Sequence, residues 1–236
     1  MKVVFICLLT FLNCSLFALE PWQEALSKMP LRSAISDLNK TNAVAVMLES
    51  FQENNTAKAF ILMPGATDEF YFFNRGNAKL TNALPTLLDA VTALTNQTLI
   101  HVTFRAPFIL LHSSEDPLEP LYKIEDEPTA KRIQKKQFVK HALFNDRDWD
   151  SILPRLTFYL DTKILPGAHL HDSSHFYRHS FAAHNLNGWE TLEAMAFAGK
   201  TQFTVQRKKV LFEGDLRFRA RPEVPRDFEG VKELSR

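Results

Sequence analysis

The sequence predicts an α+β fold of two small tandem modules, each a short, mostly antiparallel sheet packed against two helices. The main observation is a repeat. Residues 87–111 (LLDAVTALTNQTLIHVTFRAPFILL) and 189–212 (WETLEAMAFAGKTQFTVQRKKVLF) each read as an amphipathic helix, a polar break, an alternating strand, a tight turn and an apolar strand. A charged, proline-rich stretch separates the copies. The chain of 236 residues has room for two such modules.

The first 18 residues, MKVVFICLLTFLNCSLFA, have the form of a secretory signal peptide: Lys2, an apolar core from Val3 to Phe17, and small Ala18 as the cleavage point. The apolar run is shorter than the roughly 20 residues that span a bilayer, and Thr10 and Asn13 interrupt it. The expected organisation is a signal peptide (1–18), a first module (19–113), a charged linker (114–143), a second module (144–214) and a flexible tail (215–236). Both cysteines, Cys7 and Cys14, fall in the signal segment. The mature chain therefore has no thiol for disulfides, catalysis or metal ligation. Cys14 as a lipidation site is disfavoured by Phe11-Leu12-Asn13, where small residues are expected. The composition is that of an ordinary globular protein, 45% hydrophobic and 23% charged with a net charge of +1, so no strong field points to nucleic acid.

Within the first module, Leu31, Ala34, Ile35 and Leu38 recur at helical spacing, with Trp22 and Ala25 in an earlier turn. AVAVMLESF (43–51), Lys58 to Met63 and the aromatic EFYFF (69–73) read as strands. Pro85 opens a helix whose buried stripe is Leu87, Leu88, Val91 and Leu94. A hairpin follows around Arg105-Ala106-Pro107. The linker contains SSEDPLEP and AKRIQKKQ, with Thr129 to His141 as a surface helix. In the second module, Asp148 caps a helix bearing Trp149, Ile152, Leu153, Leu156 and Leu160, with Pro154 inside it. Lys163 to Leu165 and His179 to Leu186 read as strands. The repeated helix is then stopped by Gly199, and strands 201–207 and 209–213 close the module.

The copies align Leu88-Asp89-Ala90-Val91 with Leu192-Glu193-Ala194-Met195 and Thr103 with Thr204, leaving three extra residues in the first copy's loop. The segment HSFAAHNLNGWETLEAMAFAGKTQFTVQRKKVLFEG (179–214) resembles the short N-terminal modules of secretins and TonB-dependent receptors. It is also similar to modules at the ends of FecR-type anti-sigma regulators. The resemblance covers most of 25–113 and 144–214. It implies a periplasmic interaction module of a cell envelope, linked to a secretion or TonB-type system, and it implies no catalysis.

Five histidines, His169, His171, His175, His179 and His184, fall within 16 residues. His171, His175 and His179 share a face if the segment is helical, and His169 and His171 share one if it is a strand. A zinc or copper site on His169, His171, His175 and His179, with Asp172 as an oxygen donor, is the alternative function. The segment has weak helix propensity and lacks an H-E-x-x-H core, which favours a solvated polar loop. Otherwise no cofactor is expected. EFYFF reads as buried core in preference to an exposed partner edge. The hairpin strands offer a sheet edge to which an envelope partner can add a strand. Lys131, Arg132, Lys135 and Lys136 lie beside acidic residues and read as a solvated linker. No nucleophile elbow, phosphate loop or dinucleotide fingerprint occurs, and the chain has only seven glycines, so an enzyme is not expected.

Overall fold

The computed structural model describes residues 19–32, 35–39, 42–63, 78–114, 116–136, 140–167 and 179–214. Residues 1–18 (the expected signal peptide), EFYFF, His169, His171, His175 and residues 215–236 (the expected tail) lie outside the described residues. The described residues form an α+β structure of six helices and three sheets. The helices are α1 (Pro21–Ser27), α2 (Ala43–Ser50), α3 (Leu87–Gln97), α4 (Glu127–Lys135), α5 (Trp149–Leu160) and α6 (Gly188–Gly199). The strands are β1 (Asp37–Leu38), β2 (Ala59–Leu62), β3 (Ala78–Lys79), β4 (His101–Arg105), β5 (Phe108–His112), β6 (Tyr122–Ile124), β7 (His141–Arg147), β8 (Lys163–Pro166), β9 (His179–His184), β10 (Thr201–Gln206) and β11 (Lys209–Gly214). None of these helices is long and apolar enough to cross a membrane.

A five-stranded sheet, β4-β5-β2-β9-β7, forms the central wall. Its alternating side chains feed two cores, as strand geometry dictates. Ala59, Ile61, Phe108, Leu110 and Phe181 face one core, built with α4, α5, α6 and the four-stranded sheet β6-β10-β11-β8. Phe60, Leu62, Ile109, Leu111 and Ala182 face the other, built with α1, α2, α3 and the small β1-β3 sheet. The central strands are apolar at nearly every position because both of their faces are covered.

One connectivity occurs twice. In the order β1-α2-β2-β3-α3-β4-β5, β1 pairs with β3, β2 runs parallel to β5, and β4-β5 is a hairpin. In the order β7-α5-β8-β9-α6-β10-β11, β7 pairs with β9, β8 runs parallel to β11, and β10-β11 is a hairpin. The registers match. Each hairpin has a two-residue turn closed by one pair, Arg105 with Phe108 and Gln206 with Lys209. From that point Ala59 sits opposite Phe108 as Lys163 sits opposite Lys209. Both helices start with a capping box, Thr86 with Asp89 and Asn187 with Glu190. Caps and hairpins thus share one constant offset. The sequence alignment is corrected accordingly: Asp89 corresponds to Glu190 and Val91 to Leu192, with no extra residues in the first loop.

Other differences from the sequence expectations have local causes. Residues 43–50 form helix α2, not a strand. Ala43, Val46, Met47 and Ser50 make a buried helical stripe that apolar Val44 and Leu48 disguise in the sequence. Asn39 and Asn42 exchange side-chain to backbone bonds of 2.8 and 3.2 Å at its start. The N-terminal helix is α1, and Asp37–Leu38 at the end of the expected helix 31–38 pairs as β1. The expected linker 114–143 contributes β6, α4 and the start of β7. Ala130 and Ile133 of α4 enter the core. Helix α5 forms as expected, with Asp148 accepting from Ser151 N at 2.9 Å and Pro154 inside it.

The copies join by antiparallel pairing of β2 with β9, which places Ala59 opposite Ala183 and Leu62 opposite Ser180. Lys58, just before β2, bridges to both carboxylate oxygens of Glu190 in the α6 capping box, at 2.7 and 2.9 Å. Helix α6 is buried on almost every side, and its two glycines sit where neighbours come closest. A Cβ at Gly199 would lie 2.5 Å from His179 Nε2 and 3.2 Å from Trp149 Cζ2. Within a helix, Gly→Ala ordinarily stabilises by about 0.5–1 kcal/mol, whereas overpacking costs about 1–3 kcal/mol. Gly199→Ala is therefore expected to lower stability in urea unfolding by about 1–2 kcal/mol. A neutral or stabilising result would mean that this junction is looser than described.

Candidate functional site

Of the four histidines expected at a metal site, the structure places one. His179 opens β9 and is fully buried. Its Nδ1 lies 3.1 Å from Arg147 O, and its Nε2 faces the Gly199 backbone without a hydrogen-bond partner. The Trp149 ring packs edge-on at 4.4 Å between centroids. Both ring nitrogens are thus enclosed by protein, and His179 is a core side chain. Burial pushes its pKa down to about 4, against the smaller opposing effects of the Arg147 carbonyl and the Asp148 charge.

His184, at the other end of β9, packs edge-on against His141 at 5.0 Å. The two border a cavity of about 150 Å³ with Arg32 and Glu53. Burial lowers the His184 pKa as well. Among the described residues, no three His, Cys, Asp or Glu side chains converge on a possible metal position.

The sheet edges differ in a way that bears on recognition. Exposed edges carry unpaired backbone groups, and proteins blunt them with bulges, prolines, charges or short length. Edge strand β7 has a register shift between Phe144 and Arg147, with Asp146 at φ 52°. Edge strand β8 ends in Pro166, which lacks an N–H. Its counterpart Leu62 lies on β2, whose even-numbered positions face β9, as the bond from His184 N to Lys58 O shows. Pro166 therefore falls on the open side of β8. Edge strand β6 has three residues, with Lys123 paired to Glu125 at 2.7 Å beside them.

Edge strand β4 has five residues in unbroken register with β5 and neither bulge nor proline, and its charged residue, Arg105, stands at its last position over the Phe197 ring. Among the described residues, no backbone hydrogen bond leaves its outer side. The strand is rigidly backed. Phe104 stacks on Trp22 of α1 at 6.4 Å, and Thr103 Oγ1 lies 2.9 Å from His112 Nε2. Arg105 sits 5.6 Å above the Phe197 ring of α6 and donates to Leu118 O. Near it, burial raises the Glu193 carboxyl above its usual range, against a hydrogen bond from Trp189 and the Arg105 charge.

The open edge is the outer strand of the first hairpin, one of the strands expected to offer an edge. Its individual residues, Val102 and Phe104, were not singled out in the sequence. They look like ordinary core positions, and only their correspondence with Phe203 and Val205 marks them. Comparison with family models, curated proteins and solved structures finds no match to this chain.

The buried His179 gives a pH signature. An unfolded histidine titrates near 6.5, so between that pH and about 4 the unfolded chain holds a proton that the folded one lacks. This contribution to stability is complete above pH 6.5 and declines as pH falls through that window, by about 1.4 kcal/mol per unit. Urea unfolding of the protein and of His179→Gln, each at pH 7 and pH 5, should give a shallower pH slope in the variant. Equal slopes would mean that His179 titrates normally.

Proposed function

We propose that the chain is an exported, non-enzymatic interaction or scaffold protein of a bacterial cell envelope. It is built of two tandem modules similar to the secretin/TonB short N-terminal modules and is linked to a secretion or TonB-type system. The tandem reading is supported by the doubled connectivity, in which the capping boxes and pairing registers agree position by position. The export reading is supported by the form of residues 1–18.

The observation that carries the interaction reading is the contrast among edges. A bulge, a proline, and short length with flanking charge blunt three of them, while β4 remains long and regular. Strand addition to such an edge takes affinity from main-chain hydrogen bonds and specificity from alternate side chains. The rings behind β4 hold it in place, which limits the ordering cost of binding.

The reading is tested in bacteria that express the full gene. It expects an N-terminus at Leu19, recovery in the periplasmic or envelope fraction, and a discrete adduct with another envelope protein after chemical crosslinking in cells. An unprocessed chain held in the cytoplasm, or one that crosslinks to nothing, would sink it.

A further inference from the structure

Almost every element of the first copy has a partner in the second, and the match extends to the helix that precedes each. Leu87 N donates to Met29 O, just after α1, at 2.8 Å. The corresponding Gly188 N donates to Lys136 O, just after α4, at 2.7 Å. Both leading helices carry a Glu-Pro pair at their start, Glu20-Pro21 and Glu127-Pro128. Helix α1 therefore plays for α3 the part that α4 plays for α6. Among the described strands, β6 alone has no counterpart.

In the second copy β6 lies parallel on the outer edge of β10, with Tyr122 opposite Phe203 and Ile124 opposite Val205. Phe203 N donates to Leu121 O at 3.1 Å, and Glu125 N donates to Val205 O at 2.9 Å. Tyr122 packs against Trp189 at 5.0 Å and Phe203 at 5.6 Å. The matching positions in the first copy are Val102 and Phe104 for the backbone, and Leu88 and Val102 for the apolar seat. All three are half-buried. Counted back from the Glu-Pro pairs, β6 corresponds to Ser15 to Phe17, within the segment expected to be removed on export.

We propose that the outer edge of β4 binds an extended strand of another polypeptide, laid parallel to β4 in the register that β6 takes on β10. The proposal rests on the interaction reading above and gives it a site and an orientation. The ligand has an apolar residue opposite Val102, a polar one opposite Thr103 and an apolar one opposite Phe104. An acidic residue follows. That last element comes from Glu125, which follows Ile124 as Gln206 follows its partner Val205, so the two stand side by side in the register of the second copy. The position of Gln206 is taken in the first copy by Arg105, whose charge complements an acid. Parallel pairing disfavours a second copy docking β4 on β4, since identical strands related by a two-fold axis normal to the sheet run antiparallel.

The test uses protein processed in cells from the full gene, with its N-terminus read by mass spectrometry. The probe is a synthetic peptide of residues 119–126, EPLYKIED, which contains β6. Amide exchange of Val102 and Phe104 should be fast in the free protein and slow by about tenfold or more with saturating peptide. A peptide with proline in place of Lys123, whose N–H faces the edge in this register, should not protect them, and Arg105→Glu should weaken binding of the parent peptide at least fivefold, roughly 1 kcal/mol. The proposal is overturned if these amides are already protected in the free protein, which would put a segment of the chain itself on the edge. It is also overturned if the peptide leaves them unchanged or protects another edge. An envelope adduct that persists in Arg105→Glu and Val102→Pro, with no peptide effect at β4, would remove this site and leave the interaction reading intact. Absence of any adduct would remove that reading instead.

Discussion

The pairing of β2 with β9 is the contact on which the rest of the structure depends. Strand β2 is inaccessible on both faces and both edges: Ala59, Phe60 and Ile61 are 0% exposed and Leu62 is 1%. One face serves the core of the first copy, and the other serves the core dominated by the second. Fully burying an apolar side chain of this size is worth about 1.5–3 kcal/mol, so Phe60, Ile61 and Leu62 make a short strand a large contributor. The pairing also fixes α6. Phe197 lies against Phe108 at 5.9 Å and under Arg105, so the last turn of the second copy's helix closes over the first copy's hairpin.

The same pairing explains why the two copies diverge where they do. In α3 the last turn, Thr95 to Gln97, is exposed or half-exposed, while in α6 the matching Ala196 to Ala198 are buried. A helix enclosed between two sheets needs small residues where backbones approach, and α6 has glycine at both ends. Gly188 faces Ile133 O, 2.4 Å from where a Cβ would stand, whereas its counterpart Leu87 has room for a full side chain. The joining edge diverges too. Leu62 on β2 is replaced by Pro166 on β8, so β8 cannot accept a further strand as β2 accepts β9. A heterologous pairing of this kind would otherwise propagate. The proline stops it after two copies.

Local signals were legible in the sequence, and non-local ones were not. The helix–hairpin repeat, the Asp148 cap and the strand at Lys163 rest on residues close in sequence. Helix α2 was misread because it is covered on more than one side: Leu48 is buried beside the Ala43-Val46-Met47-Ser50 stripe, and half-buried Val44 and Ala45 are also apolar, which erases the period. The helix expected over 129–141 is α4, but it read as a surface helix because it buries only Thr129, Ala130 and Ile133 among charged neighbours. That is enough to seat a helix but too few residues to show as a stripe. The sharing of one sheet by both copies leaves no periodic trace. It shows only as strands apolar on both faces, which read equally well as the core of separate modules. His179 shows the limit for sites: beside four other histidines it looks like a ligand, and only the positions of Trp149, Arg147 and Gly199 mark it as core.

The two copies divide structural roles unequally. The second is enclosed: α4 and α5 cover α6, β6 fills the edge of β10, and Pro166 blunts β8. Its glycine and alanine residues along α6 let the surrounding elements pack closely. The first keeps its equivalent edge open, backed by Trp22, Phe104 and the Arg105–Phe197 contact. A strand that binds there meets a surface already ordered by the β2–β9 joint and loses its own chain entropy without much reorganisation of the protein. Loosening the joint would therefore weaken the binding proposed at β4. On this argument the second copy acts as the anchor that makes the first copy's edge rigid enough to be selective.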